Sequence, residues 1–320
     1  FQARALNHSA NSPIVNGYIT CKLHCYATVF GLLLQRNYRW LILSSPLNTM
    51  RIGIFDSGIG GLVIARAIVK RLPQYDYVYL GDTQRVPYGN RSQETIYKFT
   101  REAVDYLFRT QNCALIIVAC NTASTVALRR LQHEYLPKHF PKRRILGVIR
   151  PTAEAVTKYA GRRIGILATA TTVASKAYIR EIKKQKLKAV HVYQQAAPLL
   201  VPLLEQNAQR WLKPIASEYI RPLLRHKIDT LVLGCTHYPL VKKLIRATVG
   251  SKIKVLAQDE IIPAKLADYL LRHTEIAGVL SRRRTRQLLV TDVTYTVRKL
   301  ARRWFGVSAQ LKLVRYGHEV

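Results

Sequence analysis

From residue 50 onward, short apolar runs alternate with longer stretches of helical period. Ile52–Phe55 reads as a buried strand, followed by the turn Asp56-Ser57-Gly58-Ile59-Gly60-Gly61 and an amphipathic helix carrying Leu62, Ala65, Ile68 and Val69 on its apolar side. Tyr77–Leu80 predicts a second strand, which opens onto Gly81-Asp82-Thr83 and the turn Val86-Pro87-Tyr88-Gly89. A helix is expected from about Ser92 to Thr110, leading to the apolar run Leu115–Val118. Strands separated by helical periods of this kind argue for parallel βαβ units.

The pattern then recurs. Ile164-Gly165-Ile166-Leu167 resembles Ile52-Gly53-Ile54-Phe55 and also opens onto a polar loop, with Thr169, Thr171 and Thr172. Each half carries a later buried strand that ends in a cysteine: Leu115–Val118 precedes Cys120, and Thr230–Leu233 precedes Cys235. The spacing is nearly equal, 64 positions from Asp56 to Cys120 and 67 from Ala168 to Cys235. Ile-Gly-Ile is a common apolar string, so the strand match alone is weak; the matched cysteines strengthen it. The expected architecture is two similar parallel-sheet α/β domains related by a pseudo-twofold, with an active site in the cleft between them. Residues 147–257 would form the second domain. From Gln258 the chain predicts a helix, a strand at Gln287–Val290, a helix over Val293–Phe305 and a last strand at Gln310–Tyr316. These elements can complete the first domain, which would then be discontinuous, 50–146 with 258–320.

Residues 1–49 differ from the rest. They hold four basic residues and no acidic ones, and the apolar stretch Val29–Leu43 is broken by Gln35-Arg36-Asn37 and Arg39. That is too short and interrupted to span a bilayer, and it lacks the order of a signal peptide. The only methionine, Met50, stands directly before the first strand. We expect it to be the natural start and the preceding segment to lie outside the fold.

Composition changes the picture in two places. Fifty-one Lys and Arg against 18 Asp and Glu give a net charge of +33, which ordinarily points to a polyanionic partner. The positive residues are dispersed in small groups such as Lys142-Arg143-Arg144 and Arg282-Arg283-Arg284, without a nucleic-acid-binding motif. Nonspecific nucleic-acid binding at low salt follows from the charge alone and defines no function. Five scattered cysteines make no disulfide framework and read as reduced thiols of a cytoplasmic protein. Cys21 and Cys25 have the spacing of half a zinc site, but no second ligand pair follows them, so no metal is expected.

A thiol transfers protons well when its pKa is drawn toward neutrality. Asp56 is a candidate neighbour of Cys120, and His237 lies two positions from Cys235, on the same side if the strand end stays extended. The Asp56–Gly61 turn leads into a helix N-terminus, where free N–H groups favour an anion. It matches neither a P-loop nor a dinucleotide fingerprint. Taken singly, each residue has a plainer explanation, since a cysteine after an apolar strand is more often a small core hydrophobe. Taken together, two facing thiols without a cofactor motif suit stereoinversion at a carbon bearing an acidic proton. Removing an amino-acid α-proton requires electrostatic stabilisation of the carbanion and exclusion of water.

Four blocks carry a family resemblance: Ile54-Phe55-Asp56-Ser57-Gly58-Ile59-Gly60-Gly61, Gly81–Gly89, Ala119-Cys120-Asn121-Thr122-Ala123-Ser124 and Gly234-Cys235-Thr236-His237-Tyr238-Pro239-Leu240. In order and content they resemble the glutamate racemases of the aspartate/glutamate racemase superfamily, over Met50 to about Tyr316. The resemblance implies a cofactor-independent enzyme that interconverts L- and D-glutamate and supplies D-glutamate for peptidoglycan. It implies Cys120 and Cys235 as the acid/base pair, with the first acting on the D-isomer and the second on the L-isomer. Asp56 would assist Cys120 and His237 would assist Cys235, with Glu205 a secondary catalytic candidate and Asp82 a weaker one. Asp56, Ser57, Tyr88, Gly89, Asn121, Thr122, Thr169, Thr172, Thr236 and His237 match substrate-binding positions. A homodimer is implied as well, and no membrane partner. Aspartate racemase is the nearest alternative activity, and a basic nucleic-acid-associated protein on a retired racemase scaffold is the alternative of another class. The basic charge and residues 1–49 have no family counterpart.

Overall fold

The computed structural model describes residues 49–158, 162–185 and 189–317. The Cys21 and Cys25 pair and almost all of the expected N-terminal extension lie outside the described residues.

Among the described residues, ten strands form two sheets. The first has the order β10-β9-β2-β1-β3-β4, built from β1 (Arg51–Asp56), β2 (Tyr77–Gly81), β3 (Cys113–Val118), β4 (Arg144–Gly147), β9 (Arg286–Val290) and β10 (Leu311–Leu313). The second has the order β6-β5-β7-β8, from β5 (Arg163–Ala168), β6 (His191–Ala196), β7 (Thr230–Gly234) and β8 (Lys254–Ala257). Every pairing in both sheets is parallel. The run β2-β1-β3-β4 and the whole of the second sheet therefore share one topology. In each, the chain reverses its direction of sheet growth between the first and third strands, which in an open parallel sheet leaves a crevice at their carboxyl ends. Register places those ends level: Asp56 pairs with Gly81, Phe55 with Val118, and Ala168 with Gly234.

The recurring Ile-Gly-Ile has a packing cause. A Cβ on Gly53 would come within 3.1 Å of Cys113 Sγ and 3.4 Å of Leu107 Cδ1; one on Gly165 would come within 2.7 Å of Ile228 Cδ1 and 3.4 Å of Leu223 Cδ1. In both sheets the glycine makes room for neighbouring side chains on that face, including one leucine of the covering helix (Leu107 and Leu223), while the flanking isoleucines fill the opposite face. The helix Gln93–Arg109 starts where Ser92 accepts a hydrogen bond from the Thr95 amide at 3.2 Å, and Thr294 caps Tyr295–Trp304 in the same way. The last strand is shorter than the sequence predicts, because Tyr316 leaves the sheet edge to stack on Tyr106.

Two connections cross between the sheets, the helix Ile149–Lys158 from β4 to β5 and the helix Gln258–Arg272 from β8 toward β9. One apolar cluster runs through them, joining Ile54 and Ile117 of the first sheet to Ile166 and Val232 of the second by way of Val156, Ile262 and Leu266. Gly165→Val adds branched carbons to a space already filled by Ile228 and should destabilise the protein by about 1–3 kcal/mol. Urea denaturation measures this, and an unchanged midpoint would contradict the close approach described.

Candidate functional site

Four strand ends, two from each sheet, deliver the polar residues of the site. β1 ends in Asp56 and β3 leads to Cys120; β5 leads to Thr169 and β7 to Cys235. Both thiols are nearly covered, Cys120 at 6% and Cys235 at 5% exposure.

Asp56 is almost wholly buried; its Oδ2 accepts the Gly58 amide at 3.1 Å and the Gly61 amide lies close by, while Oδ1 has no hydrogen-bond partner. One amide of the turn expected to favour a bound anion thus serves the chain's own carboxylate. Burial nevertheless raises the Asp56 pKa, against the attraction of His237 and these amides. Cys120 Sγ lies 3.2 Å from Ser57 Oγ and accepts from the Ala123 amide at 3.4 Å. Its pKa is pushed up to about 12, first by burial and then by Asp56, so the free thiol is protonated at neutral pH.

The second thiol has a different neighbourhood. β7 stops at Gly234, and His237 reaches Cys235 through a turn with helical backbone angles rather than along an extended strand. A turn brings residue i+2 back over residue i, so the two side chains meet all the same, with His237 Nδ1 3.8 Å from Cys235 Sγ. On the far side of the ring, Nε2 lies 2.9 Å from Glu205 Oε1. Burial works against a charge on His237, but its hydrogen bonds to Cys235 and Glu205 prevail and raise its pKa to about 10. A cation therefore stands beside Cys235, while a buried carboxyl stands beside Cys120.

The halves touch. A Cβ on Gly60 would fall 2.3 Å from His237 Cε1 and 2.7 Å from Thr236 Oγ1, so only glycine lets the first-sheet turn lie against the second-sheet imidazole. Trp304, from the helix Tyr295–Trp304, meets the His237 ring edge-on at 5.4 Å. Thr122 Oγ1 lies 3.0 Å from Thr169 Oγ1, which in turn lies 2.9 Å from Thr172 Oγ1. Thr171 donates to the Gly89 carbonyl at 2.6 Å. Tyr88 is buried against Phe55 and Phe99, and its hydroxyl donates to Asp82 at 2.6 Å. Asp82 also binds Arg85 and Thr291, which fastens the Tyr88 loop to the end of β9.

Asn121 behaves differently from the other candidates. Its side-chain oxygen accepts from Tyr178 at 2.8 Å and from Gln258 at 3.0 Å, and its Nδ2 donates to Gln258 Oε1 at 2.7 Å. Nearly all of its side-chain hydrogen-bonding capacity is spent inside the protein. Tyr178, Gln258 and Trp304 were not legible as site residues. Each joins the site from an element distant in sequence, and none sits in a recognisable block.

This double arrangement, a thiol at the third strand end of each of two matching parallel sheets, is the architecture of a racemase. A model of the Asp/Glu/hydantoin racemase family matches residues 62–259, and the chain belongs to that family. It is an isomerase, and its relatives are glutamate racemases. That of Chlorobaculum tepidum is 39% identical over 260 residues, covering 80% of this chain and 93% of its own. The glutamate racemase of Francisella tularensis, solved in complex with D-glutamate, superposes with a TM-score of 0.75 at 30% identity, over 84% of this chain and 98% of its own. The Escherichia coli glutamate racemase, solved with L-glutamate and the activator UDP-MurNAc-Ala, has a TM-score of 0.66 at 26% identity, over 84% of this chain and all of its own.

The His237 pKa yields a signed prediction. A histidine raised from 6.5 to about 10 adds stability that is complete below pH 6.5 and is lost as the pH rises through 10. Glu205→Gln removes one of the two partners that hold the charge, so the His237 imidazole should titrate at lower pH, as read by NMR. An unmoved midpoint would show that Glu205 does not set it.

Proposed function

We propose that the protein interconverts L- and D-glutamate without a cofactor, by proton transfer between Cys120 and Cys235 across the α-carbon. The observation that carries this reading is the pairing of the two thiols at equivalent strand ends, one beside Asp56 and the other beside the His237–Glu205 pair. The D-glutamate and L-glutamate bound by the Francisella and Escherichia racemases support the choice of substrate.

In the proposed reaction Cys235, as thiolate, takes the α-proton of L-glutamate. The electron pair of the broken C–H bond passes onto Cα and the adjoining carboxylate. The Cys120 thiol delivers its proton to the opposite face, giving D-glutamate and a Cys120 thiolate. The reverse reaction exchanges the roles. His237, held protonated by Glu205, balances negative charge on the Cys235 side, and Asp56 serves the Cys120 side. Ser57, Thr122, Thr169, Thr172 and Thr236 supply hydroxyls for the substrate's charged groups, with Tyr88 and Gly89 shaping the wall and Asn121 adding its main-chain amide. Excluding water strengthens each of these interactions while the carbanion exists. The role proposed for the product is supply of D-glutamate to peptidoglycan, by a cytoplasmic homodimer; the domain division 50–146 with 258–320 and 147–257 belongs to the same reading.

Incubation of L-glutamate with the protein in D2O, without added cofactor, should give α-deuterated D-glutamate. Absence of both inversion and exchange would overturn the proposal. Cys120→Ser and Cys235→Ser should each lower racemisation by about 10²–10⁴-fold, the usual worth of a positioned acid or base. Near-normal turnover in either would rule out the two-thiol mechanism.

A further inference from the structure

The hydrogen-bonded knot around Asn121 reaches both thiols. Asn121 directly follows Cys120, and its side-chain oxygen accepts the Tyr178 hydroxyl at 2.8 Å. The Tyr178 ring in turn packs on Gly234, the residue directly before Cys235, so closely that a Cβ there would lie 3.1 Å from Tyr178 Cε2. One side chain thus spans from the neighbour of one cysteine to the neighbour of the other. Gln258, with no exposed surface, completes the knot. It exchanges two amide hydrogen bonds with Asn121, and its Nε2 also lies 3.0 Å from the Tyr178 hydroxyl and 3.3 Å from that of Thr152, so its two N–H groups are shared among three acceptors.

The four residues come from four places: Asn121 from the end of β3, Tyr178 from the helix Ala177–Lys183, and Thr152 and Gln258 from the two helices that cross between the sheets. The knot therefore sits where both crossings meet, and it fixes the first sheet against the second. Ordinary packing does not require four polar side chains here, since all are buried at 4% exposure or less and apolar residues surround them. A satisfied buried network of this kind specifies geometry more than it adds stability.

We propose that Tyr178 and Gln258 are positioning residues, forming a spacer that sets the separation of the two thiol-bearing strand ends. The inference rests on the two-thiol reading. Racemisation needs both sulfurs within reach of one carbon at the same moment, so it is sensitive to their separation. Elimination from a substrate with a leaving group on Cβ is not. One thiolate takes the α-proton, the C–H pair forms the Cα–Cβ double bond, and chloride departs with the Cβ pair; the resulting enamine hydrolyses to 2-oxoglutarate and ammonia. The D-isomer of 3-chloroglutamate calls on Cys120 alone and the L-isomer on Cys235 alone.

The test measures three rates in the full-length enzyme and in Tyr178→Phe and Gln258→Met: glutamate racemisation, and 2-oxoglutarate release from each enantiomer of 3-chloroglutamate. Tyr178→Phe keeps the ring on Gly234 and deletes only the hydroxyl, so it tests the spacer even if Gln258→Met does not fold. Racemisation kcat should fall about 10- to 100-fold, in keeping with the cost of a sub-ångström to ångström misplacement, while both eliminations stay within about threefold. The spacer is overturned if racemisation and both eliminations fall in parallel, if only one enantiomer's elimination is lost, or if Tyr178→Phe racemises at the normal rate. Failure of the underlying two-thiol reading is seen separately, in an unsubstituted enzyme that does not racemise glutamate.

Discussion

Burial of charge governs this site. Two thiols, a carboxyl and an imidazole are held where water hardly reaches, and each would be costly there without a partner. The fold meets that cost from the backbone outward. The Gly58 amide serves Asp56, Ser57 and the Ala123 amide serve Cys120, and Glu205 serves His237. These donors and acceptors exist in the right places because parallel strands end level at the crevice where sheet growth reverses. Moving any strand by one residue would turn its terminal side chain away from the site.

The two halves share a topology but not an electrostatic character. Around Cys120, burial and Asp56 favour the neutral thiol. Around Cys235, an imidazole held protonated places a positive charge 3.8 Å from sulfur. A resting enzyme with its proton on Cys120 and a cation beside Cys235 is already arranged for one direction of the proposed transfer, and completing the reaction leaves it arranged for the other. An exactly symmetric pair would lack that polarity.

Much of this was legible in the sequence, for physical reasons that differ by residue. Strand ends are visible because apolar runs stop where the chain meets the polar crevice, so Asp56, Cys120, Thr169 and Cys235 could all be located. Ile-Gly-Ile was legible as a repeat, and the structure adds why it recurs: both glycines admit helix side chains. The proximity of His237 to Cys235 was expected on the wrong ground, an extended strand, and arises from a turn. The Asp56–Gly61 turn reads as an anion site, and a sequence does not reveal that its own carboxylate folds back onto the Gly58 amide. Tyr178, Gln258 and Trp304 stayed hidden because nothing local marks them; a buried glutamine at a helix start reads like any polar N-terminal residue.

Those hidden residues share a property that separates them from the legible ones. Asp56, Cys120 and His237 lie at or within three residues of the ends of their own strands, so short-range pattern locates them. Tyr178, Gln258 and Trp304 each bring one half of the molecule to the other: Tyr178 and Gln258 through Asn121, Trp304 through its perpendicular ring contact with His237. Doubling a βαβ arrangement gives two sets of strand ends but no rule for how far apart they stand. That distance has to be set by contacts between the halves, and here the apolar cluster that joins the two sheets is supplemented by polar and aromatic side chains with fixed hydrogen-bond and ring geometry. Close packing of that apolar cluster resists compression, and the directional hydrogen bonds among Asn121, Tyr178 and Gln258 add a geometry that dispersion contacts alone do not impose.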